Sequence, residues 1–177
     1  MIRVKDVMRK NVVTVDPDIN MSTIAKILTN NKIGCVVITE KNKPIGIVTT
    51  NDIVMLVAKE KDLKKIKAGK FWKESNKPFV TVGPNESLMK AAKKMLKTGY
   101  KRLPVVENGE LKGIISTKEV LTVSPELIEI LSERLKARAE AVAKPDQIIS
   151  GLCEICGEYS DNLRNVDGRW ICPDCKD

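Results

Sequence analysis

The chain has 177 residues, 42% hydrophobic but only 3% aromatic, so its composition suits one or two small domains cored by Ile, Val, Leu, Met and Ala. No run of the sequence approaches the roughly 20 apolar residues that span a bilayer, and the start, MIRVKDVMRKNVV, lacks the apolar stretch of a secretory signal. The expectation is a cytoplasmic protein without a membrane partner; the absence of histidine removes every mechanism that needs an imidazole base or ligand.

The net charge of +8 is unevenly spread. From Ser150 onward six acids oppose three bases, so that segment carries −3 and the rest +11. The tail is therefore no basic grip for nucleic acid.

From the N-terminus, the chain repeats itself. Asn11-Val-Val-Thr-Val-Asp-Pro17 aligns with Pro78-Phe-Val-Thr-Val-Gly-Pro84 at an offset of 67. The same offset carries Met21, Ile24, Ala25 and Leu28 onto Leu88, Ala91, Ala92 and Met95. Both sets are spaced i, i+3, i+4, i+7, which is one apolar face of an amphipathic helix. Cys35-Val36-Val37 then matches Pro104-Val105-Val106, and Gly46-Ile-Val-Thr-Thr-Asn-Asp52 matches Gly113-Ile-Ile-Ser-Thr-Lys-Glu119. Each copy reads as an extended lead, helix, strand, turn, strand and helix. Lys41-Asn42-Lys43 and Asn108-Gly109 lie between β-branched runs, as hairpin turns do.

These blocks, V-x-T-V-x-P, an amphipathic helix, h-x-V-V and G-h-h-[ST]-x-x-[DN], resemble the cystathionine-β-synthase (CBS) domain in tandem over residues 1–122, with repeat one about 1–60 and repeat two about 72–122. The resemblance implies an α/β (α+β) fold in which the two repeats pack as a pseudo-two-fold pair. It also implies a regulatory module that binds adenine nucleotides or related ligands between the repeats, and a homodimer formed through these domains.

The residues offer a physical reason for the last motif. A strand ending near Val48 runs into a helix whose free N–H groups attract phosphate. Thr49 can offer a hydroxyl to that phosphate, and Asp52 can accept from ribose hydroxyls. The resemblance assigns those contacts to Thr49 and Asp52, with Thr14 and the backbone near Ile33 flanking the base. A plain helix N-terminus would use the same residue types without any ligand. In the second copy Ser116 and Glu119 occupy the matching positions, Glu119 standing where the family pattern has Asp; Lys101 and Arg102 either hold a phosphate there or are simply solvated.

Between the repeats, KEKDLKKIKAGK from Lys59 to Lys70 carries six lysines. It reads as a helix end and connector with a solvated face; an electrostatic contact with nucleic acid is the sharper alternative. No aromatic accompanies it until Phe71-Trp72, which favours the plainer reading.

Ser124-Pro125-Glu126 is a helix start, and Leu127, Leu131, Leu135 and Val142 form an apolar seam. A connector helix over 123–145, stopped at Pro145, is expected. Residues 148–177 then form a small β-hairpin metal ribbon. Cys153-x2-Cys156 and Cys172-x2-Cys175, fifteen residues apart, have the spacing of a four-thiolate metal site, and an Asp167-Gly168 turn folds one pair back on the other. The segment resembles zinc ribbons and the rubredoxin-like knuckle. Zinc is the expected ion and iron the alternative, because tetrahedral thiolates suit both. A closed site of four thiolates leaves no open position for substrate.

The chain is thus expected to be a non-enzymatic regulatory or adaptor protein, sensing an adenine nucleotide and meeting an unspecified protein partner through its ribbon. A rubredoxin-like electron carrier and a nucleic-acid-binding regulator are the alternatives.

Overall fold

The computed structural model describes residues 2–123 and 148–176. The chain divides into two compact units, Met1–Leu127 and Ile128–Asp177. The connector helix expected over 123–145 falls outside the described residues, except for Val123. Among the described residues no helix is long and apolar enough to cross a membrane.

In the first unit, α1 (Val4–Val7) precedes the short strand β1 (Thr14–Val15) and helix α2 (Met21–Asn30). Asn20 caps α2 by accepting from the Thr23 N–H at 2.8 Å. Met21, Ile24 and Leu28 are buried along one face, as their spacing requires. Full burial of a side chain such as Ile24 contributes about 1.5–3 kcal/mol. Strands β2 (Cys35–Glu40) and β3 (Lys43–Thr49) follow as an antiparallel hairpin, with β1 parallel to β2. Lys41 and Asn42 both have positive φ, the requirement of the two-residue turn that matches strand twist. Helix α3 (Thr50–Ala58) closes the repeat.

The second repeat copies this plan with α5 (Leu88–Thr98), β4 (Arg102–Glu107), β5 (Glu110–Ser116) and α6 (Thr117–Val123). Its hairpin turn uses Asn108 and Gly109, again both at positive φ. Even the irregularity is repeated: the hairpin register slips after Ile38 in one copy and after Val105 in the other, 67 positions on, so the strands match Cys35 with Arg102 and not, as the sequence match had it, with Pro104.

Between the repeats lies α4 (Ala68–Glu74), a helix where the sequence reads as connector. Ala68 joins the buried core of Val15, Met21, Ile24, Leu28, Val36, Ile38 and Val48, and Phe71 and Trp72 pack against it. Gly46 makes room for Trp72, since a Cβ there would lie 2.6 Å from the indole ring. The two aromatics are thus partly buried against that core.

Each repeat is completed by a segment that precedes the other. Ahead of repeat one, the Val4 and Lys5 N–H groups donate to Glu86 O and Pro84 O, and Ile2 O accepts from Leu88 N–H. Ahead of repeat two, the Ala68 and Gly69 N–H groups donate to Ile19 O and Pro17 O, and Ile66 O accepts from Met21 N–H. The three bonds correspond one by one, with the repeats related by 67 positions and the leading segments by 64. Residues 2–9 therefore pack on repeat two although they precede repeat one.

The second unit holds an antiparallel sheet of β6 (Ile149–Leu152), β7 (Tyr159–Val166) and β8 (Arg169–Ile171), in that order. Asp167 and Gly168, both at positive φ, form the turn between β7 and β8, and Asn165 Oδ1 accepts from the Gly168 N–H at 3.1 Å. Among the described residues this unit's buried core is Cys153, Leu163, Ile171 and Cys172.

Candidate nucleotide cleft and metal centre

Thr49 and Asp52 form a closed capping box at the start of α3. Asp52 Oδ2 accepts from the Thr49 N–H and hydroxyl, each at 2.8 Å. Its other oxygen accepts from the Lys77 ammonium, which also stands 5.8 Å from the centre of the Phe71 ring. The Asp52 side chain is 3% exposed. Its carboxylate is thus enclosed by partners within the chain, which satisfies the requirement that a buried charge be paired.

The matching residues of repeat two open onto a cleft of about 300 Å³. Glu119 folds back as Asp52 does, its Oε2 accepting from the Ser116 N–H at 3.0 Å and from the Ser116 hydroxyl. Its Oε1 accepts from Arg9 Nε at 2.7 Å. Burial pushes the Glu119 carboxyl up, but the Ser116 and Arg9 hydrogen bonds outweigh it and hold the group below the usual carboxylate range. Both acids are therefore paired with a cation from the segment leading into the opposite repeat: Lys77 with Asp52, Arg9 with Glu119.

The opposite wall of the cleft comes from repeat one, through Val12, Val13 and the run Ile33-Gly34-Cys35. Ile33, expected near Thr49 and Asp52, lines this cleft with Arg102, Ser116 and Glu119, while the adjoining Gly34 O accepts from the Thr50 N–H and Cys35 pairs with Thr49. Thr14 pairs with Val37 in the sheet and Lys101 lies at the foot of β4; neither lines the cleft. Arg102 reaches across the repeats because residue 34 is glycine, where a Cβ would lie 2.2 Å from its guanidinium. Cys35 also faces the cleft, and burial pushes its thiol up. Arg9, Lys32 and Lys118 are lining residues that sequence reasoning missed. The only signal for Arg9 would have been its partner 110 positions away.

In the ribbon, the four Sγ atoms of Cys153, Cys156, Cys172 and Cys175 lie within 4.8 Å of one another. Cys156 Sγ and Cys172 Sγ are 3.8 Å apart. A tetrahedron with metal–sulfur bonds of about 2.3 Å has edges of about 3.8 Å, so the set fits one ion. The first pair is shaped by Gly157 at positive φ, whose N–H donates to Cys153 O, and the second by the 3₁₀ turn Pro173–Cys175. Backbone N–H groups of Cys156, Cys172 and Ile155 aimed at Cys153 hold its thiol down to about 6, as a thiolate ligand requires. Hydrogen bonds from the Cys175 thiol to the neighbouring sulfurs of Cys172 and Cys156 favour its neutral form and push it up to about 12.

Two α/β repeats with a cleft between them, followed by a four-cysteine ribbon, define the class by fold. The chain belongs to the CBS-domain family, whose model matches residues 4–59 and 72–126. Protein MJ0653 of Methanocaldococcus jannaschii is 39% identical over 182 residues, covering 98% of this chain and 92% of that one. Among solved structures, CBS domain protein PAE2072 from Pyrobaculum aerophilum, complexed with AMP, is 27% identical with a TM-score of 0.64, covering 74% of this chain and 99% of that one. The CBS domain pair of protein MJ0100, complexed with 5′-methylthioadenosine and S-adenosyl-L-methionine, is 25% identical with a TM-score of 0.62, covering 69% and 94%.

Proposed function

We propose that this chain is a regulatory or adaptor protein whose CBS pair binds an adenine nucleotide in the cleft of Ser116 and Glu119, and whose zinc-bearing ribbon meets a protein partner. The observation that carries the reading is the cleft itself, where a helix start, a hydroxyl and a carboxylate face an apolar wall of Val12, Val13 and Ile33. A base fits against apolar residues, ribose hydroxyls against the carboxylate, and phosphate against the cations around it. Related CBS pairs that hold AMP or 5′-methylthioadenosine support the ligand class. Calorimetry of the full chain with AMP tests it. Binding that disappears in Glu119→Gln supports the reading, and no heat with any adenine ligand sinks it.

For the ribbon, four cysteine sulfurs and no fifth position favour a structural zinc. Iron in the same site would make the ribbon an electron carrier. Metal analysis of protein from its native source separates the two: a colourless protein with one zinc supports the first, and visible absorption lost on reduction the second.

A further inference from the structure

The two acids that repeat at Asp52 and Glu119 are locked in different ways. Lys77 sits on an aspartate that is 3% exposed, and its own side chain is 36% exposed. Arg9 sits on a glutamate that is 13% exposed, and its side chain is 60% exposed. The Arg9 backbone is fixed by two hydrogen bonds to Ile114, each 2.9 Å, one through its N–H and one through its O. A Cβ at residue 113 would lie 2.7 Å from Arg9 O, so Gly113 is what allows this close pairing. The half-exposed guanidinium therefore projects into the cleft from a fixed backbone.

Charge in the cleft is one-sided. Arg9, Lys32, Arg102 and Lys118 line it against the single carboxylate of Glu119. Once a ribose hydroxyl occupies Glu119 Oε1, Arg9 loses its partner and all four cations are left for the ligand.

We propose that this cleft selects a phosphate-bearing adenosine ligand over neutral or sulfonium adenosine ligands, with Arg9 exchanging its bond to Glu119 for one to the phosphate. The inference rests on the nucleotide reading of the same cleft. A guanidinium suits the exchange because it binds carboxylate and phosphate in the same planar, two-pronged geometry. The neutral 5′-methylthioadenosine still takes Glu119 away from Arg9 but returns no anion to it, and the carboxylate of S-adenosyl-L-methionine comes with an ammonium that offsets it. A sulfonium adds a cation to a cleft that already holds four.

The test is calorimetry of the full chain at fixed moderate salt with AMP, 5′-methylthioadenosine and S-adenosyl-L-methionine. AMP is expected to bind at least tenfold more tightly than either of the others. Arg9→Gln is expected to weaken AMP at least fivefold while leaving 5′-methylthioadenosine unchanged or tighter, since Glu119 is then free; Arg9→Lys should restore part of the loss. Main-chain bonds hold residue 9 in place, and thermal melting of each variant checks that the fold survives. Equal affinity for AMP and 5′-methylthioadenosine, or equal weakening of both by Arg9→Gln, would overturn the proposal while leaving the nucleotide reading intact. Failure of all three ligands to bind would overturn both.

Discussion

Removing the Lys77 ammonium should destabilise the paired repeats by about 2 kcal/mol. Breaking a fully buried ion pair from one side costs roughly 3–5 kcal/mol, and an exposed pair is worth roughly 0–1 kcal/mol. Asp52 is buried, Lys77 is one-third exposed, and the carboxylate keeps the Thr49 N–H and hydroxyl when Lys77 is gone. Those facts place Lys77→Met between the two limits. Asp52→Asn removes the charge but leaves an oxygen for Thr49, so the double mutant should cost less than the sum of the singles. A coupling of about 1 kcal/mol is expected from urea unfolding followed by far-UV circular dichroism. Fluorescence is the poorer probe, because one of the two tryptophans, Trp170, lies in the ribbon. Additivity within about 0.3 kcal/mol would show that Lys77 does not hold the Asp52 carboxylate, and the contrast between the two acids would fall with it.

Stripping the metal with a chelator should unfold the ribbon while leaving the CBS pair intact, because Cys153 and Cys172 are half of its four-residue core; amide NMR signals of residues 148–176 that keep their dispersion would refute this. Gly34→Ala should change stability by under about 1 kcal/mol, since only the movable end of Arg102 blocks the new methyl, yet weaken AMP severalfold by displacing that guanidinium. Glu119 has its carboxyl held below the usual range in the fold, so its stabilising contribution is complete above the unfolded value of about 4.3 and is lost as pH falls through the lower folded value. The stability gap between the wild type and Glu119→Gln should accordingly narrow below about pH 4, as read by urea titrations across the acid range; a gap that widens there would contradict the assigned partners.

Much of the fold was legible because its signals are local. The faces of α2 and α5 follow from Met21, Ile24 and Leu28 and from Leu88, Ala92 and Met95, and the turns from Lys41-Asn42 and Asn108-Gly109. The cysteine pairs announced by spacing alone the four-sulfur cluster that could hold a metal. Helix α4 was hidden, because its burial depends on Gly69 meeting Pro17 and Trp72 meeting Gly46, contacts no periodicity announces. The lining of the cleft was illegible for a related reason. Matched motifs invite the assumption that each repeat keeps its own ligand residues, whereas Ile33 of repeat one faces Glu119 of repeat two. A comparison at an offset of 64 would have hinted at the exchange, aligning Ile2-Arg3-Val4 with Ile66-Lys67-Ala68.

That exchange bears on ancestry. A single repeat, cut from its neighbour, would lack the backbone partners that Ile2, Val4 and Lys5, or Ile66, Ala68 and Gly69, supply across the pair. Its simplest stable form would be a dimer in which each copy lends its leading arm to the other. The present chain reads as such a dimer sewn into one polypeptide, and sewing allowed its two halves to diverge. The two acids now carry different cations, a lysine on Asp52 and an arginine on Glu119, so the halves of a formerly symmetric pair need no longer do the same work.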